Sequence, residues 1–268
     1  MQPVALGYPA FVVVLPFAVA AGVVVPVALA KQRRVSWQPL LLFLVLVGVA
    51  ALGGAKLYSM FERGSVGQLG NEIGAGFRYP GGILALLVAV PFLRVVLPKG
   101  IALASVLDLM APGIGVAMAV MRVHCLLSGC CTGFPCMQPW CLAYPHGSPV
   151  FEHQASLGLL PFDGVASLPV HVLPVYFMLA SLGSALFAIW FLSRAAYPGQ
   201  TFLVFQAMHE SVKFGLEFLR DPAAPLAQGG SLLLAAGAVG TLAIVRLRRH
   251  ADAGNALAAK PAQVREGT

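Results

Sequence analysis

Residues 9–34 read PAFVVVLPFAVAAGVVVPVALA-KQRR. The first 22 of these carry no charge, and three of the next four are Lys or Arg. A helix rises about 1.5 Å per residue, so such a run matches the roughly 30 Å hydrocarbon thickness of a bilayer. The basic cluster directly behind it is the usual mark of a cytoplasmic helix end. Ala28-Leu29-Ala30 resembles a cleavage site, but no positive residue precedes the apolar run, so the stretch reads as an uncleaved first helix.

The whole chain repeats this pattern. Of 268 residues, 59% are hydrophobic and 10% charged, against about 45–50% and about 25% in soluble domains. Mean hydropathy is +0.84. The apolar residues come in blocks, at about 9–30, 38–60, 81–98, 101–122, 169–193, 200–219 and 231–247. In lipid every backbone N–H and C=O must be satisfied within its own segment, which predicts helices; the alternation of a membrane barrel is missing. The expected fold is therefore an all-α, polytopic integral membrane protein with about seven transmembrane helices. A soluble enzyme, a disordered chain and a nucleic-acid-binding protein are excluded.

The formal charge of +7 is then an orientation signal. Eleven of the 17 basic residues fall on one side: Lys31, Arg33, Arg34, Arg94, Lys99, Arg194, Arg246, Arg248, Arg249, Lys260 and Arg265. The other side has Arg63, Arg78 and Arg220, while Lys56, Arg122 and Lys213 lie within or at the edge of spans. The N-terminus is expected outside and the C-terminus in the cytoplasm. One membrane domain covers 1–249, with a disordered cytoplasmic tail at 250–268. Two external segments stand out: Gly-rich 61–80 and a long cysteine-rich loop at 123–168.

Ionisable residues inside spans are costly and mark function by default. In 200–220, QTFLVFQAMHESVKFGLEFLR, a 100° step places Gln206, His209, Lys213, Glu217 and Arg220 within an arc of about 80°. Lys213 and Glu217, four apart, can also simply neutralise each other. In 101–122, Asp108 and Arg122 share a face but lie about 21 Å apart along the axis, so they cannot pair. Arg122 suits a phosphate or carboxylate, or an interfacial anchor; Asp108, before Pro112 and Gly113, reads as structural. In Tyr79-Pro80-Gly81-Gly82 the glycines permit a close backbone approach to a partner or ligand, or serve a turn.

The loop begins His124-Cys125-LLSG-Cys130-Cys131-TGFP-Cys136-MQPW-Cys141. This spacing matches neither a zinc knuckle nor a C-x-x-C redox pair. His124, His146 and His153 could complete a metal site, but one or two disulfides bracing the loop are the stronger expectation if the outside is oxidising. The odd number leaves at least one thiol unpaired: a buried hydrophobe, a reactive group or an intermolecular partner.

Several motifs in order together resemble the bacterial prolipoprotein diacylglyceryl transferase family over residues 3–222. They are PVALGY (Pro3–Tyr8), GGAKLY (Gly53–Tyr58), YPGG (Tyr79–Gly82), DLMAP (Asp108–Pro112), R-x-x-C-x-x-S-G-C-x-x-G (Arg122–Gly133), P-x-H-x-x-x-x-Y (Pro169–Tyr176) and K-x-x-x-E-x-x-R-x-P (Lys213–Pro222). The resemblance implies a seven-helix protein of the bacterial inner membrane. It also implies transfer of a diacylglyceryl group from phosphatidylglycerol, or another anionic phospholipid, to a thiol acceptor such as a prolipoprotein cysteine. Arg122 and Arg220 would hold the lipid phosphate, Glu217 would order the charged face, and Tyr8, His171 and Tyr176 would line or brace the pocket. Gly81, Gly82, Gly133 and Lys213 fall in the same motifs as binding positions. No cofactor, metal or nucleic acid is expected.

The chain departs from the family pattern where acid/base chemistry is concerned. Pro80 stands where the pattern has His before the two glycines. Cys125, Ser128 and Cys130 stand where R-x-x-N-x-x-N-G-E has Asn, Asn and Glu. Lys213 replaces an Arg, keeping charge but losing the bidentate fork. His124 or His209 could serve as base. The competing expectation is a non-transferase descendant of the fold, a redox or metal-binding protein acting through Cys125, Cys130, Cys131, Cys136 and Cys141.

Overall fold

The structure is a computed structural model that describes residues 7–62, 79–97, 100–161, 163–221 and 225–258. Residues 63–78 with Arg63 and Arg78, as well as Lys99, Pro222 and everything from 259 onward, lie outside the described residues. So does the side chain of Tyr8, which sits at the start of the first helix.

The described residues form α1 (Gly7–Gln32), α2 (Trp37–Glu62), α3 (Tyr79–Leu93) with a 3₁₀ turn at Arg94–Val96, α4 (Leu103–Ser128), α5 (Pro149–Ser156), α6 (Leu173–Phe191), α7 (Gln200–Glu217) and α8 (Pro225–Ala258). α1, α2, α4, α6 and α8 are long and apolar enough to cross a membrane. α3, with 15 residues, is shorter, and α7 carries His209, Glu210, Lys213 and Glu217 within its 18. These two occupy the remaining predicted spans. Only 17% of the apolar window of α1, and the same share of α8, is buried inside the protein. Apolar faces that open belong against lipid, not water.

With little hydrophobic drive between helices in lipid, close packing needs small residues at the contacts. α1 meets α4 at Gly113, where a Cβ would come within 2.6 Å of the Pro26 ring, and at Gly22 opposite Ala117. α4 meets α6 at Gly115, where a Cβ would fall 2.8 Å from that of Ala185. α2 and α3 touch backbone to backbone through Gly54 and Gly81, and Gly82 faces the Ala51 carbonyl. The close approach read from Tyr79–Gly82 is thus made to α2: a Cβ on Gly81 would collide with Tyr58 and the Gly54 carbonyl. The neighbour described at Gly81 and Gly82 is therefore α2.

α7 has no cap of its own. Gly199, at its N-cap, is in the left-handed region with φ 90° and offers no side chain. Asp108 of α4 supplies the acceptor instead, taking N–H groups from Gly199 at 2.7 Å and Phe202 at 2.9 Å. This structural role is the one expected for Asp108. At the same end, Arg249 of α8 donates to the Ala196 carbonyl at 2.8 Å, Arg194 covers the Trp190 ring and Lys31 covers Trp37. Basic residues sorted together by sequence therefore share one end of the bundle.

Two predicted limits shift, one at the loop and one at the tail. α4 continues to Ser128, stopping at Gly129 in the left-handed conformation (φ 66°). α8 likewise continues to Ala258, into the stretch read as tail. Beyond Gly129 the chain builds a packed cap. Tyr144, Val150 and Val170 form a small core. Ser148 caps α5, with Pro149 in its first turn, and the carboxamide oxygen of buried Gln154 accepts the Leu168 N–H at 2.8 Å.

Candidate functional site

The cap is sewn to the helix ends by backbone hydrogen bonds. Gly133 N–H donates to the His171 carbonyl just before α6, and His171 N–H donates to Phe134. On the other side Phe134 N–H donates to the Leu219 carbonyl, and Asp221 N–H to that of Thr132. Gly133 lies between these two segments, where a Cβ would fall 2.6 Å from the Leu219 oxygen and 2.8 Å from the His171 Cβ. Only glycine fits there without displacing one of them. One seam thus joins the end of α4, the start of α6 and the exit from α7.

Arg220 stands on this seam, opposite Gly133. Its Nη1 contacts both carboxylate oxygens of Glu217, at 3.2 and 3.1 Å, and its Nη2 donates to Cys131 Sγ at 3.4 Å. Glu217 is 1% exposed, and this guanidinium is its ion-pair partner. The neutralising pair offered by sequence, Lys213 with Glu217, is not formed. Lys213 bonds Glu210 at 3.4 Å instead. Arg122, near the end of α4, lays its guanidinium over the Phe177 ring of α6 at 4.5 Å from the centroid.

Hydrogen bonds from the Cys125 and Cys130 thiols, then the charges of Arg220 and Arg122, hold the Cys131 thiol well below the ordinary thiol range; burial opposes them. The same sulfur therefore feels both guanidiniums, one from α4 and one from the α7 exit. His171 Nδ1 and Tyr176 Oη are 3.3 Å apart at the start of α6, so each braces the other. Arg122, Cys130, Cys131, Gly133, His171, Tyr176, Glu217 and Arg220 accordingly gather at the cap end of three helices.

Of the two candidate bases, His209 lies apart from them. His209 is buried between helices, with Nε2 3.1 Å from Ser181 Oγ and its ring stacked on Phe205. It lies eight residues before Glu217, about 12 Å along the axis. His124 is two residues from Arg122, about 200° round the helix, and its ring meets Phe11 of α1 edge-on. Of the histidines weighed as metal ligands, His146 Nδ1 bonds the Gly164 carbonyl and His153 Nε2 lies 3.2 Å from Asp221.

Sequence reasoning missed Glu210, which is buried and contacts Gln206, His209 and Lys213. It falls only about 20° beyond the polar arc at a 100° step, and its spacing of four from Gln206 and three from Lys213 was the available signal. Cys136 and Cys141 form a disulfide, while Cys125, Cys130 and Cys131 are free. One bridge bracing the loop, with thiols left over, agrees with the expectation.

The comparisons agree with the architecture. The family model described as prolipoprotein diacylglyceryl transferase matches residues 5–245. The phosphatidylglycerol–prolipoprotein diacylglyceryl transferase 2 of Clostridium perfringens is 26% identical over 179 residues, covering 63% of this chain and 62% of the relative. The Clostridium tetani enzyme of the same name is 24% identical over 185 residues, 67% and 68% of the two chains. That of Bordetella avium is 27% identical over 192 residues, 68% and 64%. This chain thus spans a little under two thirds of the Clostridium perfringens and Bordetella avium relatives. With the family model running from α1 into α8 and the seam residues falling in the motifs that carried the resemblance, the chain belongs to the prolipoprotein diacylglyceryl transferase family.

Proposed function

We propose that this chain is a transferase of the bacterial inner membrane that moves a diacylglyceryl group from phosphatidylglycerol to a cysteine thiol, that of a prolipoprotein in the first instance. The observation that carries the proposal is the presence of two guanidiniums at the cap end: Arg220 on the seam, oriented by Glu217, and Arg122 near the end of α4 over the Phe177 ring. Two fixed cations at the membrane boundary suit a lipid phosphate. In the reaction, the acceptor sulfur forms a bond to the glyceryl carbon as the bond from that carbon to the phosphate oxygen breaks. Negative charge develops on the departing glycerol phosphate, where preorganised guanidiniums lower the barrier most. The thiol proton ends on that phosphate monoester, whose second ionisation lies at about pH 6. His171 and Tyr176 border the acceptor side, and Lys213 adds positive charge along α7. The cap end faces outward, with the basic end of the bundle in the cytoplasm.

The test is the purified full chain in detergent with labelled phosphatidylglycerol and a lipobox peptide, beside an active relative as control. Lipidated peptide is expected, with glycerol phosphate released in equal amount. No product alongside a working control, or product that persists undiminished in Arg122→Ala and Arg220→Ala, sinks the reading.

A further inference from the structure

The three free cysteines are not scattered. The Sγ atoms of Cys125, Cys130 and Cys131 all lie within 4.8 Å of one another. Cys125 comes from the last turn of α4, while Cys130 and Cys131 follow its stop. They converge because the chain reverses through left-handed backbone at Gly129 (φ 66°) and again at Cys131 (φ 59°). That region is rare for a residue with a Cβ and costs on the order of 1 kcal/mol or more. Something must repay Cys131 for adopting it. The thiols hydrogen-bond one another, and beyond them a Ser128 hydroxyl lies 3.1 Å from Cys130 Sγ and the Arg220 guanidinium 3.4 Å from Cys131 Sγ.

We propose that Cys125, Cys130 and Cys131 form a binding site for a soft d¹⁰ cation, and specifically for Cu(I). At a metal–sulfur distance of about 2.3 Å, a trigonal site needs sulfurs about 4.0 Å apart, a spacing small rotations of three side chains supply. The donor set is purely thiolate and three in number. Cys136 and Cys141 are tied in their disulfide, His146 and His153 are engaged elsewhere, and neither ring nitrogen of His124 lies within 4.8 Å of all three sulfurs. Thiolates suit both Cu(I) and Zn(II), but Zn(II) sites are almost always four-coordinate, so three ligands favour Cu(I). Three thiolates with one Cu(I) carry a charge of −2, and Arg220, with Nη2 3.4 Å from Cys131 Sγ, offsets part of it. The bound cation would fasten the end of α4 to the segment that runs on into the Gly133 seam. None of this depends on the transferase reading.

The test uses the reduced full chain in detergent, without oxygen, titrated with Cu(I) against bicinchoninate and separately with Zn(II) against a chromogenic chelator. One equivalent of Cu(I) should be withdrawn from the competitor, with X-ray absorption showing sulfur neighbours only. That equivalent should be lost in Cys125→Ser, Cys130→Ser and Cys131→Ser, and kept in the double variant Cys136→Ser with Cys141→Ser. Thermal unfolding of each metal-free variant identifies one that has merely failed to fold; the spectroscopy of the unaltered chain stands regardless. No withdrawal of Cu(I), preferential retention of Zn(II), nitrogen or oxygen in the copper shell, or a disulfide among the three thiols in protein alkylated on isolation overturns the proposal.

Discussion

The Asp108 carboxylate in α4 accepts the backbone N–H of Phe202 in α7 at 2.9 Å, across 94 residues of chain. With the Gly199 bond at 2.7 Å, one side chain satisfies two donors that α7 cannot satisfy by itself. Asp108→Ala should therefore lower stability by about 1–3 kcal/mol, the range for a lost cap or stranded donors. Asp108→Asn, which keeps one acceptor oxygen, should fall between. Thermal unfolding in detergent measures both, and an unchanged midpoint for the alanine variant would refute the capping role.

Glu217 and Arg220 form a pair in which one member is buried and the other partly exposed. Arg220→Ala strands a carboxylate in the interior, at about 3–5 kcal/mol by analogy with broken buried pairs. Glu217→Gln made in the Arg220→Ala background should recover part of that loss. A double-mutant cycle on unfolding midpoints reads the coupling, and strict additivity would mean that Glu217 does not depend on Arg220.

Arg122 makes a graded prediction for transfer. Removing one preorganised donor from developing charge typically costs about 10²–10³ in kcat, so Arg122→Ala should fall in that range. Arg122→Lys should keep the charge, lose the fork and recover only part of the rate. Stability should change little, because the guanidinium's described contact is the Phe177 face. Equal rates for the alanine and lysine variants would show that its charge is not what matters.

At Gly133 the prediction is steric. A methyl group would press on the Leu219 carbonyl and the His171 Cβ at once, and forced overpacking costs about 1–3 kcal/mol. Gly133→Ala should open the seam, which limited proteolysis between the cap and α6 would reveal. Undiminished protection would mean the seam can shift at no cost.

Tyr144 gives a pH dependence. Burial is the main cause that pushes its phenol up to about 12, with negative charge at Cys130 and Cys125 adding to it. The folded protein thus holds this proton more tightly than the unfolded chain, whose tyrosines ionise at about 10. The stabilisation is complete below pH 10 and is lost as pH rises through 12. Phenolate absorbance should show one late-titrating tyrosine, missing in Tyr144→Phe. A single transition at pH 10 in the folded protein would contradict it.

Much of the architecture was legible because in a membrane composition and length nearly determine a helix. α1, α2, α4, α6 and α8 follow directly from their apolar runs. Where ends were misjudged, the cause is local: Cys125, Leu126 and Leu127 continue α4 as readily as they begin a loop, and only Gly129 stops it. The cap end was partly legible through Arg122, Gly133, His171, Glu217 and Arg220. The meeting of Cys125, Cys130 and Cys131 was not, since it rests on left-handed backbone at Gly129 and Cys131, which spacing does not encode. Nor does any local pattern assign Gly81 to α2, because a glycine reads the same whether a helix or a ligand approaches it.

The seam between Thr132, Phe134, His171 and Leu219 is built from main-chain groups, which every residue except proline brings in full. Such stitching is blind to the side chains hung on it. A lineage can therefore exchange side chains along this seam and keep the seam itself in place. Relatives only 24–27% identical can share that frame while the chemistry framed by it drifts.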